Sequence, residues 1–222
     1  MDVTGEVFLA SLSPAEQDAL RVRGVVRSFP RGIALFHERQ TADRVLVVLK
    51  GCVKLSCTSD DGKEAVLAIR GPGDLLGELS AIDGEPRSAT ATTLEPVEAL
   101  SVSATDFRAF LEAHPPAALS LITMLSRRLR DADRKRVEFA SEDAMTRVAA
   151  RIVELSERFG DEVAQGVEIQ LPISQEELAG WTGCSRDSVV KALQAMRGLG
   201  WIETQRRRIV VRDIDALRRR IV

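Results

Sequence analysis

The hydrophobic pattern of this chain changes near Thr105 from mainly β-type to mainly helical, and that change limits the folds it can adopt. Before it, from Val25 to Val102, short apolar runs are separated by glycine. In residues 53–57, VKLSC, apolar and polar side chains alternate as in a half-buried strand. After Thr105, apolar residues recur at steps of three and four, the spacing of amphipathic helices. The chain is therefore predicted to be α+β, with strands first and helices after them.

The β-type half carries the cap and turn signals of an antiparallel domain. Ser13 and Glu16 form a capping box, so a short helix is predicted over 13–24, with Gly24 as its end. Asp60-Asp61-Gly62 is a hairpin turn sequence. Short strands at this spacing favour a sandwich or roll over a parallel sheet. The predicted strands are Val25–Phe29, Ile33–Phe36, Val45–Lys50, Val53–Cys57, Ala65–Ile69, Ala89–Thr93 and Val97–Val102.

A long helix is predicted over residues 117–141, which contain no glycine or proline. A shorter helix before it is expected to close near His114-Pro115-Pro116. The apolar spacing and the mixed charges of the long helix favour packing along a partner helix. The alternative is an ordinary amphipathic helix that lies on its own domain. The apolar positions are Ile122, Leu125, Leu129, Ala132 and Phe139, with Arg136 interrupting the seam.

The last part of the chain predicts two helices joined by a three-residue turn. A helix over 143–160 and a strand with Val167, Ile169 and Leu171 precede it. A capping box at Ser174 starts the first of the two helices at Gln175. Gly183 permits the left-handed backbone of a sharp turn, and Ser185 caps the second helix. Helix, tight turn and helix is the arrangement of many DNA-binding domains.

The second helix of this pair has one apolar and one polar face. Val189, Leu193 and Met196 predict the buried side. Arginine on the exposed side can bond guanine N7 and O6 together in the major groove, and a carboxylate can accept from cytosine N4. The exposed side is predicted to hold Arg186, Asp187, Val190, Lys191 and Gln194.

A basic hairpin is predicted to follow this helix. Runs 201–204 and 209–211 flank Arg206, Arg207 and Arg208, whose side chains would meet DNA phosphates as a wing. From residue 172 onward ten Lys or Arg stand against six Asp or Glu, although the whole chain has 31 and 33. A basic end on an otherwise acidic chain is typical of a DNA-binding segment.

The composition argues against several other classes of protein. Three cysteines and two histidines give no structural zinc spacing, so no metal is expected and the cysteines are predicted to be packing residues. No apolar run is long enough for a membrane span and no export signal is evident, so the cytoplasm is the expected compartment. No nucleophile–base pair supports an enzyme.

Residues 77–90, GELSAIDGEPRSAT, combine the groups that a small sugar phosphate requires. Arg87 offers charge-assisted hydrogen bonds to a phosphate. Ser88, together with backbone N–H groups at Ala89 and near Gly77, can surround the phosphate oxygens. Glu78 can accept from a ribose hydroxyl, which favours ribose over deoxyribose. A ribose phosphate is therefore a candidate ligand of this segment.

Gly-Glu-Leu at 77–79 with Pro-Arg-Ser-Ala at 86–89 resembles the phosphate-binding cassette of cyclic-nucleotide-binding domains. Gly-Cys-Ser-Arg-Asp-Ser-Val at 183–189 resembles the helix-turn-helix of the CRP/FNR family of transcription regulators. The order of the motifs and the long helix between them fit that family over about residues 25–211. The resemblance implies an N-terminal jelly-roll-like β-roll that binds a cyclic nucleotide, a dimerisation helix and a C-terminal winged helix-turn-helix. The implied boundaries are 1–115, 116–142 and 143–222.

The family's functional positions can be carried over to this sequence. The resemblance implies a homodimer that binds double-stranded DNA with a two-fold symmetric operator and works with RNA polymerase. Implied nucleotide contacts are Gly77, Glu78, Leu79, Arg87, Ser88, Ala132 and Asp133. Implied DNA contacts are Ser174, Gln175, Ser185, Arg186, Asp187, Ser188, Lys191, Arg206 and Arg207.

The resemblance implies a cyclic nucleotide effector, with cAMP first and cGMP second, but two positions depart from the pattern. cAMP responders offer hydroxyl groups to the adenine where this chain has Ala132 and Asp133. Ala132 has no polar side chain, and Asp133 adds a negative charge near a negative ligand. The alternative is the same DNA-binding regulator controlled by cGMP, by another effector, or by none. A nucleotide-regulated enzyme or channel is disfavoured, because no kinase glycine loop or membrane span is evident.

Overall fold

The computed structural model describes residues 7–59, 62–170, 173–205 and 208–221. These residues form two compact units. The roll unit holds residues up to 57 together with 67–130, and the C-terminal unit holds 58–66 together with 131 onward. No helix in the described ranges is long and apolar enough to cross a bilayer.

The predicted roll is confirmed as two antiparallel four-stranded sheets. Its strands are β1 (Gly24–Phe29), β2 (Ala34–Phe36), β3 (Arg44–Lys50), β4 (Val53–Thr58), β5 (Glu64–Arg70), β6 (Leu75–Leu76), β7 (Thr90–Thr93) and β8 (Val97–Ser103). The sheets have the orders β1-β8-β3-β6 and β2-β7-β4-β5. All seven predicted strands are present. The two-residue strand β6 was not predicted, because it is too short to show a hydrophobic period, and Asp60 and Asp61 of the predicted turn lie outside the described residues.

The central strand β3 is buried on both faces. Val45 and Val47 pack in one core cluster, with aromatic side chains of the helices that cover the outer face of the sheet. Leu46 and Val48 pack in a second cluster between the two sheets. Successive side chains of a strand point to opposite faces, so a strand covered on both sides is a continuous apolar run. The sequence RVLVVLK of β3 has this form.

Three helices of the first half begin and end close to the predicted positions, with two corrections, whereas the 3₁₀ turn and the helix over 78–83 were not predicted. These helical elements are the 3₁₀ turn Phe8–Ser11, α1 (Pro14–Arg21), α2 (Glu78–Asp83), α3 (Ala104–Ala113) and α4 (Pro115–Ser141). The capping box of Ser13 is confirmed, but Gly24 does not end α1. It opens β1, where an added Cβ would lie 2.8 Å from Leu100 Cδ1. Helix α3 ends at Ala113 as predicted, but α4 begins at Pro115, two residues before the predicted start, because proline lacks only a hydrogen bond that the first turn does not make.

The first part of helix α4, up to residue 130, packs one face on the roll unit and leaves another face exposed. Ala117, Leu121 and Met124 are buried in the outer core of the roll unit. Ile122 and Leu129 are 58% and 64% exposed, although both are large and apolar. The alternative of an ordinary amphipathic helix thus describes only the first face. The exposed large apolar side chains of α4 are Leu119, Ile122, Leu129, Val137 and Phe139, which we call the α4 stripe.

The C-terminal unit packs helices against a small sheet. Its elements are α5 (Ala144–Phe159), β9 (Gly160–Val163), β10 (Gly166–Ile169), α6 (Gln175–Thr182), α7 (Arg186–Gly198), β11 (Ile202–Gln205), β12 (Arg208–Val211) and α8 (Ile214–Arg220). The sheet has the order β11-β12-β10-β9. The predicted strand through Ile169 is β10, whose predicted neighbour Leu171 lies outside the described residues. Strand β9 and helix α8 were not predicted.

A buried ionic network joins the end of α4 to α5 and α6. The Arg151 guanidinium, in a residue only 4% exposed, donates to Glu138 at 2.7 Å and lies 3.3 Å from Glu154. Lys135 Nζ lies 3.4 Å from the same Glu154 carboxylate. Both cations stand over the Trp181 ring, at 5.7 Å for Lys135 and 5.8 Å for Arg151. Carboxylates and an aromatic face thus compensate both buried charges.

Two ion pairs fix helix α8 to α5, one near each end of α5. Arg218 donates to Glu157 near the C-terminal end of α5 at 2.9 Å. Arg220 pairs with Asp143, the N-cap of α5. Leu217, which is fully buried, anchors α8 between these two pairs. The sequence predicted only the basic character of this segment, because seven residues carry too little hydrophobic periodicity to predict a helix.

Candidate nucleotide and DNA sites

The 77–90 segment brings Gly77 and Arg87 into direct contact. Gly77 precedes α2 with a left-handed backbone at φ 77°. Arg87 Nη1 donates to the Gly77 carbonyl at 2.8 Å, and Nη2 donates to the Arg44 carbonyl at 2.6 Å. An added Cβ at position 77 would lie 2.1 Å from Arg87 Nη1. Glycine is therefore required at position 77 for two reasons, the left-handed backbone and the guanidinium beside it.

Arg87 is a buried cation that no neighbouring carboxylate directly neutralises. The residue is 3% exposed, and its guanidinium stacks 4.4 Å from the centre of the Phe36 ring. Within the described residues it has no ion pair, and its Nε has no hydrogen-bond partner. Burial lowers the pKa of Arg87, while the more distant Asp43 and Glu78 charges oppose that shift. A buried charge is costly without a counterion, so this environment fits an anionic ligand.

Glu78 is paired with a residue that the sequence analysis missed. Arg128 Nη1 donates to Glu78 Oε1 at 2.6 Å, although the two residues are 50 positions apart. Arg128 Nη2 also reaches the Leu75 carbonyl at 3.2 Å and Asp74 Oδ1 at 3.4 Å. A signal for Arg128 was present, because it follows Leu121 and Met124 on the packed face of α4 at helical spacing.

The remaining predicted nucleotide contacts are exposed. Leu79 is 43% exposed on α2, and Ser88 is exposed with its carbonyl accepting from Cys57 Sγ at 3.2 Å. Burial raises the pKa of the Cys57 thiol, which keeps it protonated. Ala132 and Asp133 are exposed on α4, where Asp133 lies 3.5 Å from Arg136. The structure therefore brings Gly77 and Arg87 into direct contact and pairs Glu78 with Arg128.

Helices α6 and α7 form the predicted helix-turn-helix. The Ser174 side chain accepts from Glu177 N in a capping box, so α6 begins at Gln175 as predicted. Gly183 has the left-handed backbone, at φ 60°. Ser185 caps α7 by accepting from Ser188 N at 3.1 Å. The local signals of the sequence are confirmed throughout this motif.

The outer face of α7 carries unpaired charges. Val189, Leu193 and Met196 are buried as predicted. Arg186, Asp187 and Lys191 are all exposed, as is Gln175 on α6. No side chain of the described ranges forms a hydrogen bond or ion pair with Arg186, Asp187 or Lys191. Charges left free in this way remain available for base edges or phosphates.

The hairpin β11–β12 differs from the prediction in the use of its arginines. Arg208 is not at the tip: it lies in β12 and pairs with Glu168 on β10. The Glu168 residue is 5% exposed, so its buried carboxylate holds Arg208 against the sheet. Arg206 and Arg207, the other two predicted wing residues, lie outside the described residues. No group of three or more His, Cys, Asp or Glu in the described part of the chain could hold a metal ion.

Comparison with known proteins places both domains of the chain in one family. Residues 26–114 match the cyclic nucleotide-binding domain and residues 146–220 match the Crp-like helix-turn-helix domain. The CRP-like cAMP-activated global transcriptional regulator of Mycobacterium tuberculosis is 34% identical over 192 residues, 86% of each chain. The cyclic AMP receptor protein of Thermus thermophilus is 32% identical over 213 residues, 96% of this chain and 95% of its own.

A solved structure supports the same fold. FixK2 from Bradyrhizobium japonicum superposes with a TM-score of 0.80 at 22% identity, covering 90% of this chain and 98% of its own. At that identity the likeness concerns the fold alone. The two domain matches and the sequence relatives, which are transcription regulators and not enzymes, concern function as well. The chain therefore belongs to the CRP/FNR family of DNA-binding transcription regulators and carries a cyclic nucleotide-binding domain.

Proposed function

We propose that a cyclic nucleotide, with cAMP as the effector, controls DNA binding by a dimer of this chain. The observation that carries the proposal is the buried Arg87 guanidinium, which has no carboxylate partner among the described residues. A cyclic phosphate would supply the missing negative charge in charge-assisted hydrogen bonds. The Mycobacterium tuberculosis and Thermus thermophilus relatives, whose names refer to cAMP, support this choice of nucleotide.

Each predicted nucleotide contact has a distinct chemical role in this proposal. The Ser88 hydroxyl and backbone groups near Gly77 complete the phosphate site that Arg87 begins. Glu78 uses one carboxylate oxygen for Arg128 and keeps the other to accept from the ribose 2′-hydroxyl. Leu79 contacts the apolar edge of the ligand. Ala132 and Asp133 are the proposed contacts of the base, with the Asp133 carboxylate as an acceptor for its exocyclic amine.

The dimer is proposed to form along the α4 stripe. Ile122 and Leu129, each more than half exposed, would be buried against the same residues of a second copy. Burying a large aliphatic side chain contributes about 1.5–3 kcal/mol, so a few such side chains stabilise a helix pair. Two-fold pairing also places two copies of α7 on one DNA molecule.

The dimer is proposed to read a two-fold symmetric operator in double-stranded DNA. One α7 from each copy would enter successive major grooves, roughly 34 Å apart. Arg186, Asp187 and Lys191 contact base edges, and the helix caps Ser174 and Ser185 contact the backbone. Gln175, Ser188, Arg206 and Arg207 add further backbone contacts. Regulation would proceed in the cytoplasm through RNA polymerase bound at the neighbouring promoter.

Effector control is proposed to work by linkage between two arrangements of the dimer. Nucleotide contacts favour the arrangement in which the two α7 helices fit successive grooves. The nucleotide then strengthens DNA binding, and DNA strengthens nucleotide binding by the same factor. The affinity ratio with and without nucleotide measures this coupling directly.

Isothermal titration calorimetry with cAMP and cGMP tests the proposed site. Arg87→Gln removes the guanidinium charge and is expected to weaken cAMP binding by at least about a hundredfold. Arg31→Gln, a change of equal charge at an exposed residue, is the matched control. Equal cAMP affinity in wild type and Arg87→Gln would refute the assigned site.

A second candidate is a DNA-binding regulator that does not respond to cAMP. The pairing of Glu78 with Arg128 favours it, because the proposed ribose acceptor is already partly neutralised. Asp133 adds a negative charge where the ligand's base would lie. Gel-shift titration of a palindromic duplex separates the two candidates: cAMP increases DNA affinity in the first and leaves it unchanged in the second.

A further inference from the structure

We propose that one end of the roll holds a second ligand site, which binds small organic polyanions. A cavity of about 260 Å³ lies there, bordered by β1, β2, β3 and β8. It shares Arg87 with the proposed phosphate site, but neither Glu78 nor Ser88 lines it, so the rest of the cavity is separate from the proposed nucleotide contacts. The cavity wall includes Arg27 and Arg44 beside Arg87. We call this space the arginine cavity.

The side chains of Arg27 and Phe29 lie on the inner face of their sheet, where apolar residues are expected. Arg27 pairs in register with Ala99, and Phe29 pairs with Val97. Residues directly opposite in an antiparallel pair share a face. Ala99 and Val97 belong to the core cluster between the sheets, so Arg27 faces inward as well. Arg27 is itself an exposed residue, so its guanidinium lies at the open rim of the cavity, where a ligand from solution can reach it.

The positive charge of the arginine cavity is only partly compensated. Arg44 donates to the neighbouring Asp43 through Nε at 2.9 Å and through Nη2 at 2.5 Å. Arg27 has no hydrogen bond or ion pair with any residue that the structure describes. Arg87 bonds only to carbonyl oxygens. Three arginines and one aspartate line the cavity, so its net charge is 3 − 1, or +2.

The size and lining of the cavity indicate the class of ligand. An apolar cavity of about 150 Å³ holds a benzene molecule, so 260 Å³ is enough for roughly ten non-hydrogen atoms. The guanidinium groups match carboxylate or phosphate oxygens in paired hydrogen bonds. Ser101 supplies a hydroxyl group, and Phe29 and Leu46 supply apolar walls for a short carbon skeleton. Di- and tricarboxylates and small phosphate esters have this chemistry.

Calorimetry of the full chain with three probes tests the proposal. Citrate and succinate represent carboxylates, and inorganic pyrophosphate represents phosphates. We expect saturable binding of at least one probe, weakened at least tenfold by Arg27→Gln. Arg31→Gln removes the same charge from an exposed arginine outside the cavity and is expected to leave the affinity unchanged. The class of the tightest probe distinguishes a carboxylate site from a phosphate site.

A second variant separates binding inside the cavity from attraction to surface charge. Ser101→Leu keeps every charge but fills part of the space, so it is expected to abolish probe binding. Thermal unfolding of each variant checks that the roll remains folded. The proposal is overturned if no probe binds, if Arg27→Gln and Arg31→Gln lose affinity equally, or if folded Ser101→Leu binds like wild type. None of these outcomes depends on cAMP, so failure of the nucleotide proposal is a separate result.

Discussion

Arg87 in the roll unit and Arg151 in the C-terminal unit are buried to the same degree, at 3% and 4% exposure. Both guanidinium groups lie near an aromatic ring, Phe36 or Trp181. They differ in their partners: Arg151 lies between two carboxylates, whereas Arg87 meets two carbonyl oxygens. A buried cation that the protein neutralises cannot be removed without leaving its carboxylates uncompensated, so its loss destabilises the fold. One that is left without a carboxylate is available to an external anion.

Removing the neutralised cation is expected to have the largest effect. Arg151→Ala would leave Glu138 and Glu154 buried with fewer partners, so the free energy of unfolding should fall by about 3–5 kcal/mol. Both tryptophans, Trp181 and Trp201, belong to the C-terminal unit, so urea unfolding followed by their fluorescence reports on that unit.

The control for this change is Arg136→Ala. Arg136 forms an exposed pair with Asp133, so its loss should change the unfolding free energy by less than about 1 kcal/mol. If the two variants were equally stable, Arg151 would not have the structural role that the comparison assigns to it.

Displacing the unneutralised cation is expected to affect ligand binding more than folding. Gly77→Ala puts a Cβ 2.1 Å from Arg87 Nη1, so the guanidinium must move and cAMP affinity should fall about a hundredfold. Gly84→Ala is a matched control, because Gly84 has the same φ of 77° and nothing described lies within 4 Å of its added Cβ. The left-handed backbone costs each variant roughly 1–2 kcal/mol of stability. Equal losses of cAMP affinity would show that backbone strain, and not the position of Arg87, controls binding.

The comparison extends to exposed cations that have no partner. Arg186→Ala should weaken binding to the specific operator about tenfold and reduce its preference over random DNA. Arg197 lies on the same helix but is hydrogen-bonded to Thr204, so Arg197→Ala should weaken binding to the operator and to random DNA alike. Fluorescence anisotropy with the two DNA molecules measures the ratio of the affinity for the operator to the affinity for random DNA. An unchanged ratio in Arg186→Ala would remove this residue from base recognition.

The smallest expected effect concerns an exposed carboxylate, Asp143. The backbone N–H of Thr146 lowers the pKa of Asp143, with Arg220 adding to the shift. A lowered pKa stabilises the fold above the unfolded value, about 3.9, and the stabilisation disappears as the pH falls through the folded value. Asp143→Ala should therefore cost about 1 kcal/mol at pH 7 and less near pH 3. Asp143→Asn keeps a capping group and should therefore lose less stability than Asp143→Ala. A stability difference between Asp143→Ala and wild type that did not change with pH would contradict this assignment.

The parts of the molecule that the sequence predicts are those with local causes. The caps at Ser13, Ser174 and Ser185 each act within three residues, and all three are confirmed. The strands of the roll follow from alternation and from continuous apolar runs. The glycines at 77 and 183 were singled out because a motif required them, and both have left-handed backbones.

The parts that the sequence does not predict depend on long-range partners or on very short elements. Arg128 reaches Glu78 across 50 residues, and Arg208 reaches Glu168 across 40. Neither pairing follows from spacing, because many combinations of opposite charges were available. Strand β6 exists only because β3 pairs with it. Helix α8 is held by tertiary ion pairs that a local pattern does not contain.

The attachment of α8 to α5 has a consequence for the thermodynamics of DNA recognition. The β11–β12 hairpin leaves α7 on one side and continues into α8 on the other, so both of its ends are anchored. Arg208 fixes the hairpin laterally through Glu168. Strands β11 and β12, held at three places, sample few conformations before they meet a ligand, and they therefore lose little conformational entropy on binding. The favourable enthalpy of the phosphate contacts that we propose for this hairpin would then appear almost undiminished in the affinity.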